Sequence, residues 1–328
     1  MLLADLAETS RAVAATRSRL RKVELLAAAL RRMGPREVAV GVSYLAGDLR
    51  QGRIGIGVAA VREAMVTATP AERATLELTD VDAELDRVAG ARGAGSAADR
   101  RRALASLLSR GTRAEQELLA RLVLGELRQG ALEGVMVEAV ARASGAPVAE
   151  VRRAAMVAGD LRQVAEAALA EGVAGLRRFP LRLMSPLQPM LAQPAGDVGD
   201  ALASLGEAAL EHKLDGARVQ VHKDGSEVRV FSRALRDVTP AVPEIVEAVQ
   251  ALPARSVILD GEALAFRPDR TPEPFQVTMR RFARKLDAAA LRRELPLSAL
   301  FFAFLEDALR RGHEGVMAKS LAAPYEAG

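Results

Sequence analysis

The sequence predicts a two-domain protein: an all-α N-terminal domain followed by an α+β domain with antiparallel sheets. Apolar residues recur at helical spacing through most of residues 1–178, for example over 20–30 and 118–127. The next stretch, 179–194, is rich in proline, which stops helices. Beyond it, apolar and polar residues alternate with the period of two that is typical of strands. We therefore expect domains at 1–185 and 186–328.

The composition fits a globular protein, because 50% of the 328 residues are hydrophobic and 27% are charged. A chain of this length can bury two cores. The absence of cysteine excludes disulfide scaffolds, cysteine nucleophiles, Fe–S clusters and cysteine-ligated zinc. The sequence has neither a signal peptide pattern nor a run of 18 apolar residues that could span a membrane. We expect a cytoplasmic monomer that binds no membrane.

The charge balance is mildly basic, with a net charge of +4 and an isoelectric point near 9.8, which is a weak indication of polyanionic partners. Few of the basic residues are lysines. A lysine in so arginine-rich a chain is a candidate for chemistry that arginine cannot do, because arginine cannot lose its proton. Codon bias is the alternative explanation. The five lysines are Lys22, Lys213, Lys223, Lys285 and Lys319.

The helical part contains a repeated segment. Residues 47–52 read G-D-L-R-Q-G, 125–130 read G-E-L-R-Q-G, and 159–163 form a weaker third copy. Exposed N–H groups at a helix start, with arginine beside them, would bind phosphate. The alternative, which spacing alone favours, is a glycine-ended helix with a solvated arginine. The candidate phosphate-contacting residues are Arg50, Arg53 and Arg128.

The most informative segment is 211–218, which reads E-H-K-L-D-G-A-R. Two alternating runs, 219–222 and 228–231, follow it and are joined by K-D-G-S, a strong hairpin signal. Because residues two apart in a strand share a face, we expect Glu211 and Lys213 to lie on the same face.

This segment resembles motif I (K-x-D-G-x-R) of the covalent nucleotidyltransferases, which include DNA ligases, RNA ligases and mRNA capping enzymes. Four further segments resemble motifs Ia, III, IIIa and IV in the family's order. The helical N-terminal part, P-M-L-A at 189–192 and the two L-R-Q-G segments resemble bacterial ATP-dependent DNA ligases in particular. The four segments are F-S-R at 231–233, D-G-E at 260–262, L-F-F at 300–302 and E-G-V-M-A-K at 314–319.

The resemblance implies an ATP-dependent DNA ligase that seals nicks in duplex DNA through a lysyl-AMP intermediate, in replication, repair or recombination. It implies ATP and Mg²⁺ as cofactors and nicked duplex DNA as the partner. Lys213 would be the nucleophile. The other roles carried over are adenine contact for Glu211, ribose and phosphate binding for Arg218 and Arg233, ribose or metal binding for Glu262, purine stacking for Phe302 and Mg²⁺ binding for Glu314.

The residue types suit this chemistry. A lysine must be neutral to attack phosphorus, and with a reference pKa near 10.4 its neutral form costs about 4 to 5 kcal/mol at pH 7. The site must therefore lower the pKa of this lysine, and the positive charges that could do so are those of Arg218, Arg233 and a bound metal. Lys319 stands five residues after Glu314. In a regular strand, residues five apart point to opposite faces, so the role of Lys319 stays open. The three histidines match no catalytic pattern, and we expect them to be structural or exposed.

Two features depart from the family pattern. Only eleven residues separate Phe302 from Glu314, where the family has several tens. We interpret this as a loop left out of the printed chain, because loss of a core strand would leave an unpaired sheet edge. The lysine-bearing motif V and the C-terminal OB domain have no counterpart here. We therefore expect an incomplete adenylation domain and poor self-adenylylation.

Two kinds of alternative stay open at this point. An RNA ligase or a capping-type enzyme would share the motifs and would be distinguished by which labelled nucleotide becomes attached to the protein. The second alternative is a non-catalytic DNA-binding repair protein with a degenerate core. Nick sealing by the full-length protein would exclude it.

Overall fold

The structure is a computed structural model that describes residues 1–127, 129, 133–269, 271–282, 292–300 and 315–320. The chain divides into two compact units, Met1–Pro180 and Leu181–Gly328. The division falls within the proline-rich segment, close to the boundary expected at residue 185. No helix in the described part of the chain combines the length and apolarity needed to cross a bilayer.

The first unit is helical, as the apolar spacing predicts. Its core is built from leucine, valine and alanine, with Tyr44 among the largest fully buried side chains. The helices in the described residues are α1 Leu3–Ala15, α2 Arg19–Arg31, α3 Val38–Ala46, α4 Val58–Thr67, α5 Leu78–Gly90, α6 Ser96–Ser109, α7 Arg113–Leu124, α8 Glu133–Ser144, α9 Val148–Ala158 and α10 Leu161–Leu176.

The repeated segment marks helix ends. Helices α3, α7 and α9 each stop at the glycine that begins a copy, and Gly47, Gly125 and Gly159 all have the left-handed backbone that ends a helix without a Cβ penalty. The first two copies also touch, since a Cβ added at Gly47 would lie 3.0 Å from the main-chain oxygen of Leu127. The glycine-ended helix of the sequence analysis is therefore confirmed, but the solvated arginine is not, because Arg50 pairs with Asp82 and Asp86.

The second unit is an α+β fold with antiparallel strands, which confirms the predicted fold class. Strands β1 and β6 form one two-stranded sheet, and the other four form a sheet in the order β3-β2-β4-β5. All pairings are antiparallel. The elements are α11 Val198–Leu205, β1 Ala208–Lys213, β2 Ala217–Asp224, β3 Glu227–Ser232, α12 Pro243–Gln250, β4 Ser256–Ala265, α13 Phe275–Met279, β5 Leu297–Leu300 and β6 Gly315–Ser320, with 3₁₀ turns at Thr239–Ala241 and Arg280–Phe282.

The predicted hairpin joins β2 to β3. Asp224 pairs with Glu227, which leaves Gly225 and Ser226 as a two-residue loop, and Gly225 has the positive φ of 59° that such tight hairpin turns require. One face of β2 packs into the core of this unit through Ala217, Val219 and Val221. Its other face is polar, and it forms the site described next.

Candidate active site

The candidate site is built on the polar face of the four-stranded sheet. On β2 this face presents Arg218, Gln220 and His222, because alternate residues of a strand point to opposite sides. The antiparallel register with β4 places Glu262 opposite Arg218 and Asp260 opposite Gln220. The motif I arginine and the D-G-E acids are thus brought together from separate parts of the sequence.

Within the described residues, Arg218 donates three hydrogen bonds. Its Nε and Nη2 donate to the two carboxylate oxygens of Asp260, at 3.1 and 2.7 Å, and its Nη1 donates to the main-chain oxygen of Met190 at 2.6 Å. A two-point arginine–carboxylate pair fixes the plane of the guanidinium as well as its position. The position and plane of the Arg218 guanidinium are therefore set by contacts within the protein.

Glu262 lies two residues further along β4, and its Oε1 accepts a hydrogen bond from the main-chain N–H of Gly216 at 3.2 Å. Burial of the carboxyl group raises its pKa to about 7, against the lowering effects of the Gly216 N–H and the Arg218 charge. The nearby charges of Asp260 and Asp215 raise the pKa further. The carboxyl group therefore takes up and releases a proton near neutral pH.

Gly216 has to be a glycine for steric reasons. A Cβ at this position would lie 2.5 Å from the main-chain oxygen of Ala263 and 2.8 Å from side-chain atoms of Leu264. The main chain at Gly216 must lie this close to β4 for its N–H to donate to Glu262. The D-G pair of motif I thus has a packing reason that is visible in the structure.

Lys213 ends β1, three residues before Gly216, so the loop from 214 to 216 joins the candidate nucleophile to the polar face. Its side chain is exposed. In the ribbon of β1 and β6, Lys213 pairs with Gly315 and Ala209 pairs with Lys319, so the two lysines lie on the same face. Glu211 pairs with Met317, and the structure describes only its backbone.

Arg233 is exposed and follows the end of β3. It lines a shallow crevice together with Arg218, Asp260, Leu187 and Pro189. The crevice therefore brings the motif Ia arginine and the motif I arginine to one small depression of the surface.

Three expected site residues, Phe302, Glu314 and Arg128, lie outside the described residues. Within those residues, no group of three or more histidine, aspartate or glutamate side chains forms a metal site. Glu262 is a carboxylate of the kind that Mg²⁺ prefers, but both oxygens of neighbouring Asp260 accept hydrogen bonds from Arg218, so the described residues supply only part of a donor set for this ion.

The candidate phosphate-contacting arginines of the helical unit have different surroundings. Arg50 donates to Asp82 through Nε at 2.9 Å and also to Asp86, both on α5. Arg53 is exposed, and it stands in the glycine-rich segment that precedes α4. Arg50 would have to give up or share two carboxylate partners to bind phosphate.

Two of the lysines singled out for chemistry have structural contacts instead. The ammonium group of buried Lys223 donates to the main-chain oxygens of Gln250 and Leu252 at the carboxyl end of α12. Lys22 donates to the main-chain oxygen of Gln129 at 2.6 Å. Scarcity of lysine was therefore a poor indicator of catalysis at these two positions.

His222 is structural, as expected. It is fully buried, and its Nδ1 accepts from the main-chain N–H of Met184 at 3.0 Å. The contacts of Asp260, Gln220 and Met190 were missed by the sequence analysis. Period-two alternation on β2 would have placed Gln220 beside Arg218, but a main-chain oxygen such as that of Met190 leaves no mark in a sequence.

Comparison with known proteins identifies two ligase segments. Residues 61–141 match the family described as "DNA ligase N terminus", and residues 189–306 match the "ATP dependent DNA ligase domain". A solved structure named "Pmar-Lig_PreS3" shares the fold at 15% identity, with a TM-score of 0.51 over 98% of this chain and 75% of that one.

Curated relatives match over the whole chain. A "Probable DNA ligase" of Anaeromyxobacter sp. (strain Fw109-5) is 60% identical, and that of Sorangium cellulosum (strain So ce56) is 53% identical, covering 72% and 70% of those proteins. The first alignment spans 372 positions against the 328 residues here, so about 44 positions have no residue in this chain. The chain belongs to the ATP-dependent DNA ligases.

Proposed function

We propose that Lys213 is the residue that becomes adenylylated and that the polar face around Arg218 and Glu262 binds the nucleotide. The observation that supports this most is the hydrogen bond from the main-chain N–H of Gly216 to Glu262, because Gly216 lies in the loop that directly follows Lys213. It ties the position of the nucleophile to the acid of the D-G-E segment.

In the proposed reaction, the neutral amine of Lys213 attacks the α-phosphorus of ATP, the bond from that phosphorus to the bridging oxygen breaks, pyrophosphate leaves with the bonding electrons, and the nitrogen gives up one proton to solvent. A 5′-phosphate oxygen at the nick then attacks the phosphorus of lysyl-AMP, the P–N bond breaks, and the lysine nitrogen takes up a proton and leaves as the amine. Finally the 3′-hydroxyl oxygen attacks the activated 5′-phosphorus, gives up its proton, and AMP departs with its bonding electrons.

The arginines have electrostatic roles in this scheme. Arg218, already oriented by Asp260, would hold the ribose and phosphate side of the nucleotide together with Arg233, which lines the same crevice. Glu262 and Glu314 would hold Mg²⁺, whose charge offsets that of the phosphates when it is bound. Arg218, Arg233 and the bound metal would also favour the neutral form of Lys213 if they lie close to its amine.

The test is a chemical map of the adduct on the full-length protein. After incubation with α-labelled ATP and Mg²⁺, peptide mass spectrometry should place the AMP group on Lys213. Lys213→Arg keeps the charge but cannot form this adduct, and because the side chain is exposed its thermal unfolding should match the parent. An adduct on Lys319, or an undiminished adduct in Lys213→Arg, would refute the assignment.

The comparisons favour ligation of DNA over the RNA ligase, capping and non-catalytic alternatives, because both matched families are DNA ligase families. For binding, we propose that the helical unit contacts backbone phosphates through Arg50, Arg53 and Arg128. The basic isoelectric point and the exposure of Arg53 support this.

The contacts of Arg50 and Arg53 lead to different expectations. Arg53→Gln should weaken nicked-DNA binding and reduce the slope of log affinity against log salt by about one. Arg50→Gln should change the slope less, since Asp82 and Asp86 already pair with it. Fluorescence anisotropy between low and physiological salt gives both slopes. Equal slopes for Arg53→Gln and the parent would remove Arg53 from the proposed interface.

A further inference from the structure

The segment before β1 is fastened to the polar face of β2. Three alternate residues of that strand bond to its main chain in order: His222 accepts from the N–H of Met184, Gln220 accepts from the N–H of Leu187 at 2.7 Å, and Arg218 donates to the oxygen of Met190. We call residues 184–190 the linker segment. Its course over the sheet is therefore fixed by side chains of β2.

Gln220 stands at the centre of this arrangement. It is 6% exposed, and its Oε1 also accepts from Nε2 of His222 at 2.8 Å, while its Nε2 contacts the oxygen of Leu187 at 3.5 Å. Because Nδ1 of His222 accepts from the Met184 N–H, the ring proton is assigned to Nε2, which donates to Gln220; burial also lowers the pKa of the ring. Removal of the amide would leave the buried Leu187 N–H and the histidine N–H without an acceptor.

Arg218 connects this arrangement to the candidate site. Its guanidinium bonds to the linker segment on one side and to Asp260 on the other. A displacement of Met190 therefore removes one of the contacts that set the angle of the guanidinium.

We propose that Gln220 is a positioning residue for adenylyl transfer: it holds the linker segment so that Met190 orients Arg218 toward the nucleotide. This rests on the proposed role of Arg218. Gln220 acts through the linker segment and Arg218, because its amide bonds to Leu187 and His222 and only 6% of the residue is exposed.

The primary test compares Gln220→Leu with Lys223→Met in the full-length protein. Both positions are buried on β2, but Lys223 points to the opposite face and bonds to the end of α12. Both variants should lower the thermal midpoint. Gln220→Leu should also lower kcat/KM for ATP in lysyl-AMP formation by about tenfold, mostly through KM, while Lys223→Met should stay within about twofold of the parent.

A double-mutant cycle distinguishes positioning from general loss of structure. In an Arg218→Met background, Gln220→Leu should have little further effect on kcat/KM, because the group it positions is gone. Gln220→Glu keeps an acceptor for Leu187 and His222 and should recover part of the loss. A full tenfold loss in the Arg218→Met background, or equal losses in Gln220→Leu and Lys223→Met at equal stability, would overturn the proposal.

The same cycle separates this inference from the proposed function. If Arg218→Met alone leaves the KM for ATP unchanged, the role of Arg218 fails, and the positioning proposal fails with it. If Arg218→Met raises KM but Gln220→Leu does not, only the positioning proposal fails. Calorimetric titration of ATP into Lys213→Arg variants gives the same comparison without turnover.

Discussion

Substitution of Gly216 by alanine tests the close approach between the D-G pair and β4. The added methyl group would lie 2.5 Å from the oxygen of Ala263 and 2.8 Å from two atoms of Leu264. The leucine side chain can turn aside, but the main-chain oxygen can move only with β4. The loop would therefore retreat from the strand.

The size of the effect follows from two contributions. Insertion of a methyl group into a packed position costs about 1–3 kcal/mol. Retreat of the loop also weakens the 3.2 Å bond from Gly216 N–H to Glu262, and a hydrogen bond to a charged group is worth about 1.5–3 kcal/mol. Both effects act within three residues of Lys213. We expect a loss of about 2–4 kcal/mol in stability and a fall in lysyl-AMP formation of about a hundredfold or more.

A matched glycine gives the control. Gly225 in the β2–β3 turn has a φ of 59° and open space where a Cβ would be. Gly225→Ala should cost about 1–2 kcal/mol through backbone strain alone. It should leave adenylylation unchanged.

Urea unfolding and single-turnover adenylylation of the full-length variants give the two quantities. Should Gly216→Ala form lysyl-AMP at the parental rate, the loop geometry would have no part in placing the nucleophile. If Gly225→Ala lost adenylylation as severely, the effect would reflect lowered stability only.

Two further predictions concern stability. Burial lowers the pKa of His222 in the folded protein, so below its ordinary value of 6.5 the unfolded chain binds more protons. The contribution of His222 to the free energy of unfolding should therefore be fully retained above pH 6.5 and decrease as the pH falls below it. Urea titrations at pH 5 and 7 should show a smaller difference in this free energy for His222→Gln than for the parent. An equal difference in the two proteins would show that His222 is not the group responsible. The fully buried guanidinium of Arg281 bonds to both carboxylate oxygens of Glu244 at 2.7 and 3.0 Å. Arg281→Met should destabilise the protein by about 3–5 kcal/mol by leaving that carboxylate unpaired, and adding Glu244→Leu should recover part of the loss in the same assay; no recovery would show that the pair itself is not the cause.

The sequence by itself determined the elements that depend on neighbours along the chain. Helical spacing gave the helical unit, proline marked its end, Asp-Gly gave the hairpin, and glycine gave the ends of α3, α7 and α9. These features are local, because backbone conformation and side-chain periodicity act within a few residues. The ordered motifs likewise identified Lys213, Arg218 and Glu262 as candidates before any fold was known.

Only the tertiary structure decided what those residues touch. Arg218 and Asp260 are 42 residues apart, and Arg50 and Asp82 are 32 apart, so no local pattern predicts either pair. Lys223 was a candidate for chemistry until its ammonium group was found on main-chain oxygens of another element. Such contacts depend on strand register and packing, which bring distant atoms within hydrogen-bond distance, and main-chain acceptors are chemically the same at every position.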